Sequence, residues 1–260
     1  MSGLVVATRV ELFKLRRTLA LAVALVVPLA LLAMLAANIL SRDPNQAIPN
    51  APWETFVVNF GFFLWCILAL PLLVTLEVAL LAGMEHGQRH WKDLFALPLP
   101  RWQVYGAKLL TAAALLALSL LVLGVGLGVL GSVLNVLRPN LGLAPPVPWL
   151  DILRGVSTMF GATLLLLTLL SWVAVRWSSF AVPSGVGITG TVVALMLDIS
   201  ARADSWACIF PWSMPLSAVA PVSDNRPVES HLIALGLGVV GGLALAVLGA
   251  WDVSRRDVLA

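Results

Sequence analysis

Charge is what this chain has least of. Its 260 residues include 16 Lys and Arg and 13 Asp and Glu, so 11% are charged, against about a quarter in soluble domains. With 60% hydrophobic residues and a mean hydropathy of +0.98, a soluble globule and a disordered chain are both excluded. Cysteine is nearly absent as well. Cys66 falls in an uncharged run and Cys208 in a proline-rich stretch, so two free thiols are expected rather than a disulfide. Catalytic patterns are missing. No G-x-x-x-x-G-K-[ST] occurs and no Gly is followed directly by Lys, so the chain encodes no ATP site and is expected not to be an enzyme. His86 and His90 stand i, i+4 beside Glu85 but lack the H-E-x-x-H order and a third ligand, and His231 is isolated. Neither a metal site nor a Ser-His-Asp triad is expected.

What is present is a set of long uncharged runs. Six gaps between consecutive charged residues hold 21 to 29 residues: Arg17–Arg42, Glu54–Glu77, Lys108–Arg138, Arg154–Arg176, Arg176–Asp198 and Glu229–Asp252. A helix needs about 20 residues to cross roughly 30 Å of hydrocarbon. The runs do not alternate polar with apolar residues, which excludes barrel strands. The fold class expected is all-α: a polytopic membrane protein forming one domain over residues 1–260, with spans near 18–40, 56–82, 105–132, 155–175, 179–198 and 231–251. The first is too long for a cleavable signal peptide. A seventh gap, between Asp204 and Asp224, contains Pro211, Pro215 and Pro221. These prolines break a continuous helix, so a re-entrant hairpin of two short helices is expected before the last span.

Six crossings place both termini on one side, and the positive-inside rule makes it the cytoplasmic one. That face would hold 11 of the 16 basic residues, including Arg9, Lys14, Arg16 and Arg17. The other would hold Arg42, Arg138, Arg154, Arg202 and Arg226, interspersed with Asp43, Glu54, Asp151, Asp198, Asp204, Asp224 and Glu229. The basic groups therefore match topology and anionic lipid, and no nucleic-acid partner is expected. Residues 3–17 read as an interfacial helix, with Leu4, Thr8, Leu12 and Leu15 on one face and Arg9, Lys14 and Arg16 on others. This is either an elbow orienting the first span or a basic topogenic segment. Residues 139–148, rich in proline, read as a compact outer turn.

The longest charged insertion, GMEHGQRHWKDLFALPLPRWQVYGAKLL over residues 83–110, carries the functional signal. Trp91, Leu94 and Phe95 recur at i, i+3 and i+4, opposite Arg89, Lys92 and Asp93, which describes a short amphipathic helix. Pro98 and Pro100 end it, and Arg101 and Lys108 mark the start of the third span. The plainer reading is a helix resting on lipid.

Glu85, Trp91-Lys92, the apolar pair after them, Leu97-Pro98, Arg101 and Lys108 resemble the signature of ABC-2 type exporter permeases, most closely the lantibiotic-immunity and antibiotic-efflux subgroup. Pro211-Trp212 and Pro215 add to the likeness. Pro100 departs from it, standing where the family often has a small polar residue before its Arg. The resemblance implies a six-helix subunit with an N-terminal cytoplasmic helix, a coupling helix between spans two and three, and paired short outer helices before span six. It implies partners too: a cytoplasmic ABC ATPase dimer, which would hold ATP and magnesium while this chain holds no cofactor, and a second permease chain, identical or related. The residues that would dock on the ATPase are Glu85, Arg89, Trp91, Lys92, Asp93, Leu94, Phe95, Pro98 and Arg101. The function implied is ATP-driven export of an antimicrobial peptide, antibiotic or lipid-like molecule across the cell membrane. An independent secondary transporter would be expected to show duplicated halves and several buried ionisable groups, and a membrane enzyme is the third class. A stoichiometric ATPase that copurifies separates the first from the others.

Glu77 ends an apolar run about two turns before the cytoplasmic loop. It either lines a substrate path or snorkels to Arg89, Lys108 or the N-terminal cluster. Asp198 reads as a boundary residue. Gly124/Gly128 and Gly238/Gly242 have small-x-x-x-small spacing, suited to helix packing within a subunit or between subunits. Trp53, Trp102, Trp149, Trp177 and Trp251 fall at span ends as an aromatic belt.

Overall fold

The computed structural model describes residues 3–15, 18–42, 52–86, 100–177, 179–199, 204–219 and 228–255, and among these every regular element is helical. After the N-terminal helix Gly3–Leu15 come six helices long and apolar enough to cross a membrane. They are span 1 (Leu19–Leu40), span 2 (Pro52–Gly83), span 3 (Trp102–Leu137), span 4 (Trp149–Arg176), span 5 (Ala181–Asp198) and span 6 (Glu229–Arg255). Several exceed their charge-free runs, because basic and aromatic residues at an interface do not end a helix. Proline marks two of the starts, Pro100 and Pro148 sitting at the N-caps of the third and fourth span helices, whereas Pro28 and Pro71 lie inside spans 1 and 2.

Buried hydroxyls are absorbed locally. Thr75, Thr111, Ser119, Thr163 and Thr191 each donate to the carbonyl four residues earlier, so these helices carry polar side chains without exposing them to an apolar surrounding. Span 2 departs from the α form over Thr55–Phe62 and Trp65–Ala69, where the turns are π-helical. Pro71 supplies a reason for the second stretch. Its missing N–H and its ring disfavour a regular α turn just before it, and the Leu70 N–H reaches back five residues to the Trp65 carbonyl.

The chain's two ends meet at one end of the bundle, the base. Leu4 of the N-terminal helix packs on Gly106 near the start of span 3, and Gly249 near the end of span 6 packs on Tyr105. The opposite end is the crown. Span 3 is the central post, contacted by the N-terminal helix and by spans 1, 2, 4 and 6, and span 4 lies between it and spans 5 and 6. Leu115, Leu116, Leu120, Leu123 and Leu127 fill the core along span 3.

Glycine brings helices within backbone distance. A Cβ on Gly238 would lie 2.5 Å from the Ala162 Cα, and one on Gly242 would lie 2.9 Å from the Leu164 carbonyl carbon, so span 6 rides on the backbone of span 4. Gly124 faces Val156, and Gly128 faces Trp149. Both glycine pairs thus serve packing inside one chain.

At the crown, residues 139–148 form the expected tight turn. Gly142 adopts φ +76, a conformation glycine takes at little cost, and Leu141 and Leu143 are buried. Arg138 then pins span 1, its guanidinium donating to the Ile39, Leu40 and Arg42 carbonyls. They lie at the end of span 1, where carbonyls run out of intrahelical donors, and Ile39 also accepts the Arg42 N–H. The proline-rich stretch forms two short helices, Asp204–Ala207 and Met214–Val219. The second is buried against span 4 and span 6. His231 Nδ1 lies 3.2 Å from the Ala218 carbonyl and ties the hairpin to span 6. Cys66 and Cys208 are both buried and are not joined in a disulfide.

The N-terminal helix corrects one expectation. Glu11 and Leu15 are buried and Leu4 and Thr8 partly so, whereas Leu12 is 41% exposed. Positions 4, 8, 11 and 15 follow the 3.6-residue period, and position 12 lies about 100° away from position 11. Glu11 is tolerated on that face because Lys14 Nζ reaches its Oε1 at 2.9 Å.

Candidate functional site

The predicted coupling segment joins spans 2 and 3 at the base. Glu85 lies in the last turn of the helix Leu70–His86, and Arg101 opens the helix Arg101–Leu137. Arg89, Trp91, Lys92, Asp93, Leu94, Phe95 and Pro98 lie outside the described residues. What the structure defines is the frame that the segment hangs from. Span 2 descends to it, span 3 rises from it, and the N-terminal helix braces the foot of span 3 through Leu4 and Gly106.

Two further contacts tighten this foot. The Trp172 indole N–H donates to Asp252 Oδ2 at 3.0 Å, joining the base ends of spans 4 and 6. Tyr105 is buried in the seam between spans 3 and 6, where Gly249 leaves room for its ring. Its hydroxyl has no hydrogen-bond partner among the described residues. Above this foot a narrow cleft opens between spans 2, 3 and 4, lined by Val78, Leu81, Tyr105, Lys108, Ala112 and Ser171 among others. Its walls are mostly apolar.

Glu77 sits just beyond the cleft on span 2 and is fully buried. Among the described residues it meets no basic group; Arg89, Arg16 and Arg17, three of the partners expected for it, lie outside them. Its one hydrogen bond among the described residues comes from the Ser119 hydroxyl, 3.4 Å from Oε1, and Oε2 has no partner there. Ser119 lies near the middle of span 3, and its hydroxyl is also within 3.0 Å of the Leu115 carbonyl. That leaves Glu77 a weak share of one donor. A carboxyl in this state is costly to bury, and supplying a donor would require spans 2 and 3 to shift or a polar ligand to arrive. Asp198 lies half-buried in the last turn of span 5, with its Oδ1 buried.

Sequence reasoning singled out Glu77 but not Ser119, which lies 42 positions away. It also missed Tyr105, the Trp172–Asp252 bond and the Arg138 clamp. The signals were slight. Ser119 stands in the middle of an uncharged run, and Tyr105 is the chain's one tyrosine.

Residues 7–194, from the N-terminal helix into span 5, match the family described as ABC-2 family transporter protein. No curated protein and no solved structure matches the chain.

Proposed function

The chain belongs to the ABC-2 family of transporter proteins, and from that premise we propose that it is the permease subunit of an ATP-driven exporter. The observation that carries the reading is the family match over residues 7–194, which takes in the whole segment between spans 2 and 3. Membership makes the chain a transport component and implies an ABC ATPase as its partner. Residues 85–101 are the proposed contact: Trp91, Leu94 and Phe95 anchor in a groove of the ATPase, and Glu85, Arg89, Lys92, Asp93 and Arg101 set orientation.

In this reading the base faces the cytoplasm, as the 11 basic residues counted for that face favour. Two permease chains and two ATPases assemble. Closure of the ATPases pushes the tips between spans 2 and 3, and the bundle carries the push toward the crown. The cargo is amphipathic or hydrophobic, of the kind handled by the lantibiotic-immunity and antibiotic-efflux subgroup.

The test is W91D or L94D in the chain coexpressed with its ATPase. Recruitment of the ATPase and ATP-dependent transport should both fall more than tenfold while the permease stays in the membrane. Retained recruitment and transport would overturn the assignment. A cysteine placed at position 91 should resist an impermeant thiol reagent applied to intact cells.

A further inference from the structure

The crown holds a second concavity, between the first turns of spans 2 and 4. It has a volume of about 500 Å³ and is walled by Trp53, Val57, Phe62 and Ile152, with Glu54 and Asp151 also in its lining. Small-molecule sites typically occupy about 300–1,000 Å³.

The aromatic walls are fixed by the fold. The Trp53 indole N–H donates to the Ala144 carbonyl at 2.8 Å, and its ring meets Phe56 edge-on at 6.1 Å. The ring fits because Gly131 has no side chain, since a Cβ there would come within 2.5 Å of it. Phe62 rests in the same way on Gly155, where a Cβ would approach to 2.2 Å. The span 2 side of the cleft is the π-helical stretch Thr55–Phe62, a backbone form often found at functional sites. A rigid wall of this kind loses little freedom when a ligand binds.

The charges select the ligand. Glu54 is exposed and makes no ion pair among the described residues. Asp151 meets Arg154 at 3.3 Å with both side chains about 70% exposed, a geometry worth little in water. Arg154 is not part of the lining, which contains no basic residue among the described residues. Two carboxylates beside the pinned, half-buried Trp53 indole attract a cation through charge and through the ring quadrupole, and they repel an anion of the same shape. The buried side chains of Val57, Phe62 and Ile152 form an apolar floor beneath them.

We propose that this cleft binds the transported molecule, and that this molecule is an organic cation with an apolar body. The word "transported" rests on the permease reading above. The binding site itself does not.

The full-length chain in zwitterionic nanodiscs is dialysed to equilibrium against tetraphenylphosphonium, with empty discs as baseline and the near-isosteric anion tetraphenylborate as control. The expected result is saturable binding of the cation, at least tenfold weaker in E54Q/D151N and severalfold weaker in W53A, with no saturable binding of the anion. Glu54 and Asp151 are exposed, so the double variant is expected to fold, and an unchanged melting temperature verifies it. Equal affinity in the folded double variant, or saturable binding of the anion, overturns the proposal. Absence of saturable cation binding by the unaltered chain, with its stimulation of the partner ATPase intact, removes the cleft assignment alone. Cation binding that persists where no ATPase couples upholds the cleft and removes only the transport reading.

Discussion

Span 6 meets span 4 backbone against backbone, whereas span 2 meets span 3 around a carboxyl group. At the first joint Gly238 and Gly242 leave nothing between the helices. At the second, Glu77 takes a 3.4 Å contact from Ser119 on one oxygen and nothing from the described residues on the other. Close backbone packing is held by dispersion over many atoms and has no better arrangement nearby. A buried carboxyl with an unmet acceptor gains whenever a neighbour moves to supply a donor. One joint therefore resists displacement and the other favours it, and the second lies in the two helices that flank the predicted coupling segment.

The sharpest way to break this comparison is to fill the first joint. Gly238→Leu puts a side chain where a Cβ alone already lies 2.5 Å from the Ala162 Cα. Overpacking costs about 1–3 kcal/mol where side chains can yield, and more is expected here because backbone cannot. Fluorescence-detected size exclusion with a thermal ramp should show loss of the folded species or a melting temperature lowered by many degrees. A protein of unchanged stability would mean that the two spans are free to separate.

Glu77→Leu probes the other joint and should act in the opposite sense. Removing an under-satisfied polar group is expected to leave thermal stability equal or slightly raised, and ATP-driven transport in proteoliposomes to fall severalfold. Full transport at raised stability would reduce Glu77 to packing and erase the contrast. A smaller effect is expected at the crown, where Arg138→Ala removes a donor shared by three carbonyls at the end of span 1, of which Ile39 keeps the Arg42 N–H. About 1–2 kcal/mol of stability should be lost, read as a downward shift of the same melting curve, with transport little changed. The smallest effect belongs to Asp252→Asn, which keeps the side-chain shape and an oxygen acceptor for the Trp172 N–H and removes only the charge. One neutral-to-charged bond at a partly exposed site is worth about 1 kcal/mol at most, so the melting curve should move by only a degree or two.

Much of this architecture was legible from charge spacing. The six uncharged runs correspond to the six candidate spans, and Pro211 and Pro215 marked the broken hairpin. Span ends were less legible. The charge gaps placed the third and fourth spans at 105–132 and 155–175, and the helices run over Trp102–Leu137 and Trp149–Arg176, since an interfacial charge is compatible with a helix and the starts are set by the N-cap prolines Pro100 and Pro148. The N-terminal face was read one position off, with Leu12 in place of Glu11, because hydrophobicity was the only guide and a salt bridge to Lys14 let a carboxylate take the buried position. At the candidate site, Glu77 was visible as a lone carboxylate in an apolar run. Its partner was not, since nothing in composition ties position 77 to position 119.

By itself, the sequence determined solvent, crossing number and the place of the breaks. These follow from one-dimensional quantities, the length of uncharged chain set against the thickness of hydrocarbon and the inability of proline to continue a helix. Tertiary structure alone decided which helices touch: that Gly238 rests on Ala162, that Arg138 caps span 1, that Ser119 faces Glu77 and that Trp53 walls a cleft. Each of these depends on how helices are rotated about their axes. A bundle of nearly uniform Leu, Ala and Val faces does not fix that rotation from pattern, and the few polar and small residues fix it only once they have met.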